Sequence, residues 1–341
     1  MVLRAQTTNQ RFFVRDHSYV GAARRGAREF AEGVGLVAEP LERLSLVVSE
    51  LASNLSKHSQ GGGEILVCDA SDEFTKRVRV FAIDHGPGID CIDEALQDGV
   101  STTATLGGGF GAMRRLTESF ELGSCLGQGT VVLATIAQTA AGKKQPGNEN
   151  LELGFVCVPH PKESSCGDAV ATKSSHEMLS IMLIDSLGHG EAASQVSQMA
   201  SRVFLENAFM DLPQLLDLIQ AELRGSRGAA IALTQIIPSA EKVLFLGVGN
   251  ISSRIIQKYS TKGCSSVQGI VGGSMSSPKM MEYDWARGAA LLMYSDGIKS
   301  AAQIKCCTAN SANLLAAEVY RDYSRASDDA SVVVVKDMRS K

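Results

Sequence analysis

Two short stretches pose the chemical question in this sequence. IDHGPG at 83–88 and IDSLGHG at 184–190 each close an apolar run with an aspartate and follow it with glycines. Around the first, Glu50 and Asn54 stand four residues apart in a helical pattern and therefore share one face, with Lys57 and His58 close behind on it. An amide oxygen is a hard ligand for a metal that carries phosphates, and a neighbouring carboxylate can take a proton. Alone, this pair would read as a solvated helix face. Asp84 adds a carboxylate at a strand end, and Gly86 and Gly88 let a flat ligand approach the backbone. In STTATLGGGFGAMRRL, Gly107, Gly108, Gly109 and Gly111 run into a helix start, where free N–H groups and the helix dipole cradle an anion. A lone glycine loop is usually a surface turn. Three such elements in this order describe a nucleotide site.

Around the second stretch the chemistry changes sign. Asp168 in CGDA, Asp185 in IDSLGHG, Asp296 in YSDG and Asp328 or Asp329 in SDDAS all lie at strand margins. If the sheets bring those margins together, the carboxylates repel one another, so the cluster calls for divalent cations. An all-oxygen ligand set points to Mg²⁺ or Mn²⁺ rather than zinc. His189 reads either as a turn residue packing on the next helix or as an aid to a leaving group.

The elements that must position these groups follow from periodicity. In the first half, RFFVRD reads as a strand, and 18–34 and 39–59 read as helices, the second with Pro40 near its start. Strands follow at 64–70 and 77–84, short helices at 92–99 and 111–120, and closing strands at 120–124 and 130–136. That is an α+β pattern with helices covering one face of a sheet. The second half gives strands at 151–158 and 177–185, helices at 190–209 and 212–225, and strands at 228–237, 242–249, 252–259 and 289–297. A helix at 311–324 and a strand at 330–337 end it, so two sheets flanked by helices are expected.

With 341 residues, two domains are expected. The polar stretch AQTAAGKKQPGNENLE marks the break. Domains are placed at 8–137 and 151–338, with a linker at 138–150. A net charge of −4 and no basic stripe argue against a nucleic-acid partner. No apolar run has transmembrane length and the N-terminus lacks a signal-peptide block, so a cytoplasmic protein without membrane partners is expected. The eight cysteines form no C-x-x-C pair and read as reduced thiols, the neighbours Cys306 and Cys307 included.

SELASNLSKH, DHGPGI, ALQDGVST, LGGGFGAMRRL and GQGTVV together resemble the GHKL (Bergerat) ATP-binding fold, an α/β sandwich, and within it the RsbT-type serine kinases of bacterial partner-switching systems. The resemblance implies ATP with Mg²⁺ held by Asn54, the adenine amino group bonded to Asp84, and a pocket shaped by Gly86 and Gly88. It further implies a phosphate lid containing Gly107, Gly109 and Gly111, Thr130 behind the base, Lys57 and His58 near the phosphates, and Glu50 as general base.

The order GD, DSLGHG, GN, SDG, DD resembles the PPM-type metal-dependent serine/threonine phosphatases, an αββα sandwich, in their SpoIIE and RsbX branch. This implies two Mn²⁺ or Mg²⁺ ions bridged by Asp185, with the Ser186 carbonyl, Asp168, Asp296 and one of Asp328 and Asp329, preferably Asp328, as further ligands. Serine stands at 186, where that family usually has glycine; a backbone ligand tolerates the change. The two resemblances imply a chain that phosphorylates and dephosphorylates serine or threonine of STAS-domain antagonist or scaffold proteins, RsbS/RsbR-like, in a stressosome-like switch. The alternative is an ATP-binding module that sequesters a sigma factor, fused to the one catalytic domain, the phosphatase.

Overall fold

The computed structural model describes residues 2–4, 8–59, 61–72, 74–95, 109–138, 150–302 and 310–339. The chain folds as two compact units. One is Asn9–Lys144, and the other joins Met1–Thr8 to Gln145–Lys341.

The first three-residue strand, β1 (Val2–Arg4), belongs to the second unit. The first unit then runs β2 (Gln10–Val14), α1 (Val20–Val34), α2 (Glu39–His58), β3 (Gly63–Asp69), β4 (Arg77–Asp84), α3 (Ile92–Ala95), α4 (Phe110–Leu116), β5 (Ser119–Cys125) and β6 (Gly129–Ala137). Its five strands form an antiparallel sheet in the order β2-β3-β4-β6-β5. Helix α2 turns Leu44, Val48, Leu51 and Leu55 inward, at the three-to-four-residue spacing of one helix face, against Ile65, Val67, Val80 and Ala82 of the sheet. That burial leaves Lys57 and His58 exposed and Glu50 and Asn54 at the boundary.

The helix expected over 111–120 stops at Leu116. Thr117 turns its hydroxyl onto the Met113 and Arg114 carbonyls, and from Ser119 the backbone pairs with β6 instead. The stretch 96–108, with the end of the other expected short helix and Gly107 and Gly108, lies outside the described residues, as do 139–149 of the expected linker.

In the second unit the order is β7 (Leu151–Val158), β8 (Asp168–Ser174), β9 (Leu179–Ser186), α5 (Glu191–Asn207), α6 (Leu212–Glu222), β10 (Ala229–Ile237), β11 (Lys242–Val248), β12 (Ser252–Gln257), β13 (Ser260–Cys264), β14 (Ser266–Val267), β15 (Met281–Asp284), β16 (Ala290–Tyr294), α7 (Ala312–Tyr323) and β17 (Ala330–Asp337). One sheet runs β1-β8-β9-β10-β11-β14, with β15 also on β11. The other runs β13-β12-β16-β17-β7.

Alternation along the strands assigns the layers. On β9, Leu179, Ile181 and Leu183 point into a core shared with Phe155, Met293, Val333 and Val335 of the other sheet. The intervening Met182 and Ile184 face Val196, Phe204, Leu215 and Ile219 of α5 and α6. Helix α7 packs on β7 and β17. The result is a sandwich of helices, sheet, sheet, helix.

No helix among the described residues is long and apolar enough to cross a membrane. Cys68, Cys91, Cys125, Cys157, Cys166 and Cys264 are free thiols; Cys306 and Cys307 lie outside the described residues.

Candidate nucleotide site and candidate metal centre

In the first unit, Asp84 ends β4 and closes the turn that follows. Its Oδ1 accepts the Gly86 N–H at 2.6 Å and the Thr130 N–H at 3.3 Å. Among the described residues its Oδ2 receives no hydrogen bond, so it remains open to a ligand donor. Gly88 has φ +79°, and a Cβ there would stand 2.4 Å from the Cys125 carbonyl oxygen, so this turn admits only glycine. Thr130 is buried on β6, its hydroxyl 2.9 Å from that of Ser124, which also accepts the Ile89 N–H.

Gly109 caps the N-terminus of α4 and Gly111 is buried in its first turn. Glu50 and Asn54 lie half-buried on α2, and Lys57 and His58 are exposed at its end. The His58 carbonyl would be 3.2 Å from a Cβ on Gly86, so the end of α2 and the Asp84 turn are neighbours. Gly107 is not among the described residues.

In the second unit, strand pairing sets Asp168 directly opposite Asp185, and Asp185 opposite Ala230. Asp296 follows β16 and shares a hydrogen bond with Asp185. The Ser295 N–H donates to the Ser331 carbonyl and the Ser331 N–H to the Ser295 hydroxyl, tying the end of β16 to the start of β17, and the charge of Asp328 acts on Asp296. The sheets thus bring the four acids to one margin.

Burial, with the charges of Asp168, Asp296, Asp328 and Asp329, pushes the Asp185 carboxyl up to about 9. Burial also raises Asp168, to about 7, against the opposing hydrogen bonds from Ser295 and Ser331; the Ser331 hydroxyl donates to its Oδ2 at 2.7 Å. Asp296 is raised in the same direction, by burial first and then by Asp328, while the Asn250 amide donates to its Oδ2 at 2.8 Å. Among the described residues no three of these side chains already form a closed ligand cage. The donor set is nonetheless hard, all-oxygen and self-repelling, and such a set fits divalent cations.

The neighbouring acid Asp329 is engaged differently. Its Oδ1 accepts the His160 N–H at 2.6 Å and its Oδ2 the Gly167 N–H at 2.8 Å, so it fastens the loop between β7 and β8. Asp328 accepts only the Asp329 N–H among the described residues. Ser186 is buried, with its hydroxyl 2.7 Å from that of Ser197 on α5. His189 is exposed, bonded to Glu163 at 2.9 Å and stacked on His160 with ring centroids 4.6 Å apart.

Sequence reasoning did not nominate Asn250, Ser295, Ser331, His160 or Glu163. Asn250 had a signal, since it is the asparagine of the GN pair just past the apolar run of β11. The serines had none.

Residues 13–136 match the family model of the histidine kinase-like ATPase domain. Through its first unit the chain belongs to that ATPase family. Within it, the chain belongs with RsbT: it is 35% identical over 113 residues to the serine/threonine-protein kinase RsbT of Bacillus subtilis (strain 168), across 33% of this chain and 84% of that protein.

Over the C-terminal part, a chain solved in work on the bacterial stressosome, as a modular system adapted to control secondary messenger signalling, is 27% identical with TM-score 0.52. That match covers 55% of this chain and 100% of the other. RsbX in complex with magnesium superposes with TM-score 0.51 at 16% identity, over 57% of this chain and 97% of that one. The second unit has the PPM phosphatase fold.

Proposed function

We propose that the chain is a partner-switching regulator that both adds and removes phosphate on serine or threonine of STAS-domain proteins of a stressosome-like assembly. One observation carries the reading: an acid cluster centred on the facing pair Asp168 and Asp185 lies in a PPM fold on the same chain as an RsbT-family domain.

In the first unit, the open Oδ2 of Asp84 accepts the adenine amino group, and Gly86, Gly88 and Thr130 shape the pocket. Asn54 presents its amide oxygen to the Mg²⁺ carried by ATP. Gly107, Gly109 and Gly111 offer backbone N–H groups to the phosphates, with Lys57 and His58 beside them. Glu50 accepts the proton of the substrate hydroxyl as the γ-phosphoryl transfers to it.

In the second unit, Asp185, Asp168, Asp296, Asp328 and the Ser186 carbonyl hold two Mn²⁺ or Mg²⁺ ions. When bound, the ions supply a water nucleophile at neutral pH and neutralise charge on the phosphoryl group. The two backbone N–H groups already on Asp329 support Asp328 as the ligand of that pair. Asn250 orients Asp296, and Ser331 orients Asp168. No nucleophile from the chain is needed.

The test is phosphosite mapping on one STAS partner incubated with wild type, Asn54→Ala and Asp185→Asn. Asn54→Ala should leave the partner unphosphorylated, and Asp185→Asn should leave its phosphate in place while nucleotide affinity stays within about twofold. Tight binding of a regulator without transfer would replace the kinase half of the reading with sequestration. Unrelated sites altered by the two variants would defeat the shared substrate.

A further inference from the structure

We propose that Arg227 receives the substrate phosphate at the metal centre of the second unit, an inference that rests on the phosphatase reading above. Arg227 immediately precedes Gly228 and β10, whose first residues Ala229 and Ala230 pair with Ser186 and Asp185. Gly228 accepts the Leu187 N–H at 3.0 Å, so the backbone of this turn is clamped to the loop that follows Asp185. From there the Arg227 side chain lies back across the same loop, and its Nη1 donates to the Leu187 carbonyl at 3.0 Å. Gly188 makes the approach possible: its φ is +82°, and a Cβ there would stand 2.8 Å from Nη1.

The guanidinium is exposed, and among the described residues it pairs with no carboxylate. Three other arginines of this unit have carboxylate partners, Arg202 with Glu222, Arg321 with Asp322 and Arg339 with Asp337, while Arg254 is held by the Ser300 and Ala302 carbonyls. On the same loop, His189 already has Glu163. A single bond to one carbonyl fastens a loop but does not call for a permanent cation with five donors. On the loop that directly follows Asp185, an unpaired cation does suit a dianionic phosphate monoester, whose paired oxygens match the fork of Nε and Nη2. Arg227 would hold the phosphoryl group while the acids and their ions act on it.

The test measures hydrolysis of a phosphoserine peptide by the full chain with Mn²⁺. Arg227→Ala should raise KM about tenfold or more, the order of a charge-assisted hydrogen bond pair, with kcat changed by less than about threefold. Arg227→Lys should recover part of the loss. A second arm needs no turnover. In the Asp185→Asn chain, fluorescence anisotropy compares the phosphoserine peptide with its unphosphorylated form, and adding Arg227→Ala should remove most of the preference.

Unchanged KM together with an unchanged preference would overturn the proposal. So would a loss of Mn²⁺ affinity in Arg227→Ala, which would make the residue a strut of the loop. A wild-type chain inactive on every phosphopeptide would instead sink the phosphatase reading, and the anisotropy arm would still judge Arg227.

Discussion

Asp185 and Asp168 hold protons that ordinary carboxylates have lost, with affinities raised from 3.8 to about 9 and about 7. The folded chain therefore binds more protons than the unfolded chain from the ordinary carboxylate range up to about pH 9. Stability must fall as pH rises across that window, because each proton lost costs the folded state more. Cations reverse the slope by replacing the protons. In chelator, the unfolding midpoint of the second unit should decline from pH 5 to 9, and Mn²⁺ should restore it most at the alkaline end. Calorimetry in two buffers of different ionisation enthalpy should show proton release on metal binding below pH 9. A flat midpoint in chelator would contradict the protonated cluster. These acids were legible in the sequence because each stands at the margin of an apolar strand, Asp185 near the end of β9 and Asp168 at the start of β8. The separate duties of Asp328 and Asp329 were not, since they depend on two N–H groups of a loop more than 160 residues away in sequence.

At the level of elements, α7 shows how a cap supports the second sheet. Ser311 takes extended backbone and its hydroxyl accepts the Leu314 N–H at 3.2 Å, while Leu314, Leu315 and Val319 are buried. Ser311→Ala should cost about 1 kcal/mol of unfolding free energy, read by chemical denaturation. Asn313→Ala, outside the cap, is the comparison for general damage to the helix. The main helices and the long strands were readable because their apolar residues repeat at 3.6 or 2. The strands β13, β14 and β15 were not: they are short and largely exposed, and only their neighbours' hydrogen bonds make them strands. The end of α4 was missed for a related reason, because Ser119 and Phe120 suit either state until β6 offers its edge.

For the whole molecule, the two-part character follows from composition, but β1 does not. Val2, Leu3 and Arg4 pair with Ser174, Lys173 and Thr172, on the strand that begins at Asp168. Three residues carry no periodicity to read, and their partner lies about half a chain away. Removing residues 1–8 should lower the melting transition of the second unit by roughly 2–4 °C, the equivalent of about 1 kcal/mol, and leave nucleotide affinity unchanged. An unaltered transition would show that the edge strand contributes nothing to stability.

That short strand also changes what it means to take the molecule apart. A protease nick anywhere in 139–149 would ordinarily split a two-part chain into independent fragments. Here the amino-terminal fragment would still carry β1, a piece of its neighbour's sheet. In topological terms the ATPase unit is an insertion between the first strand of the phosphatase and the rest of it. A phosphatase expressed from Gln145 onward is thus a truncated sheet with the β8 edge uncovered, open to pairing with other chains. Clean separation takes two cuts.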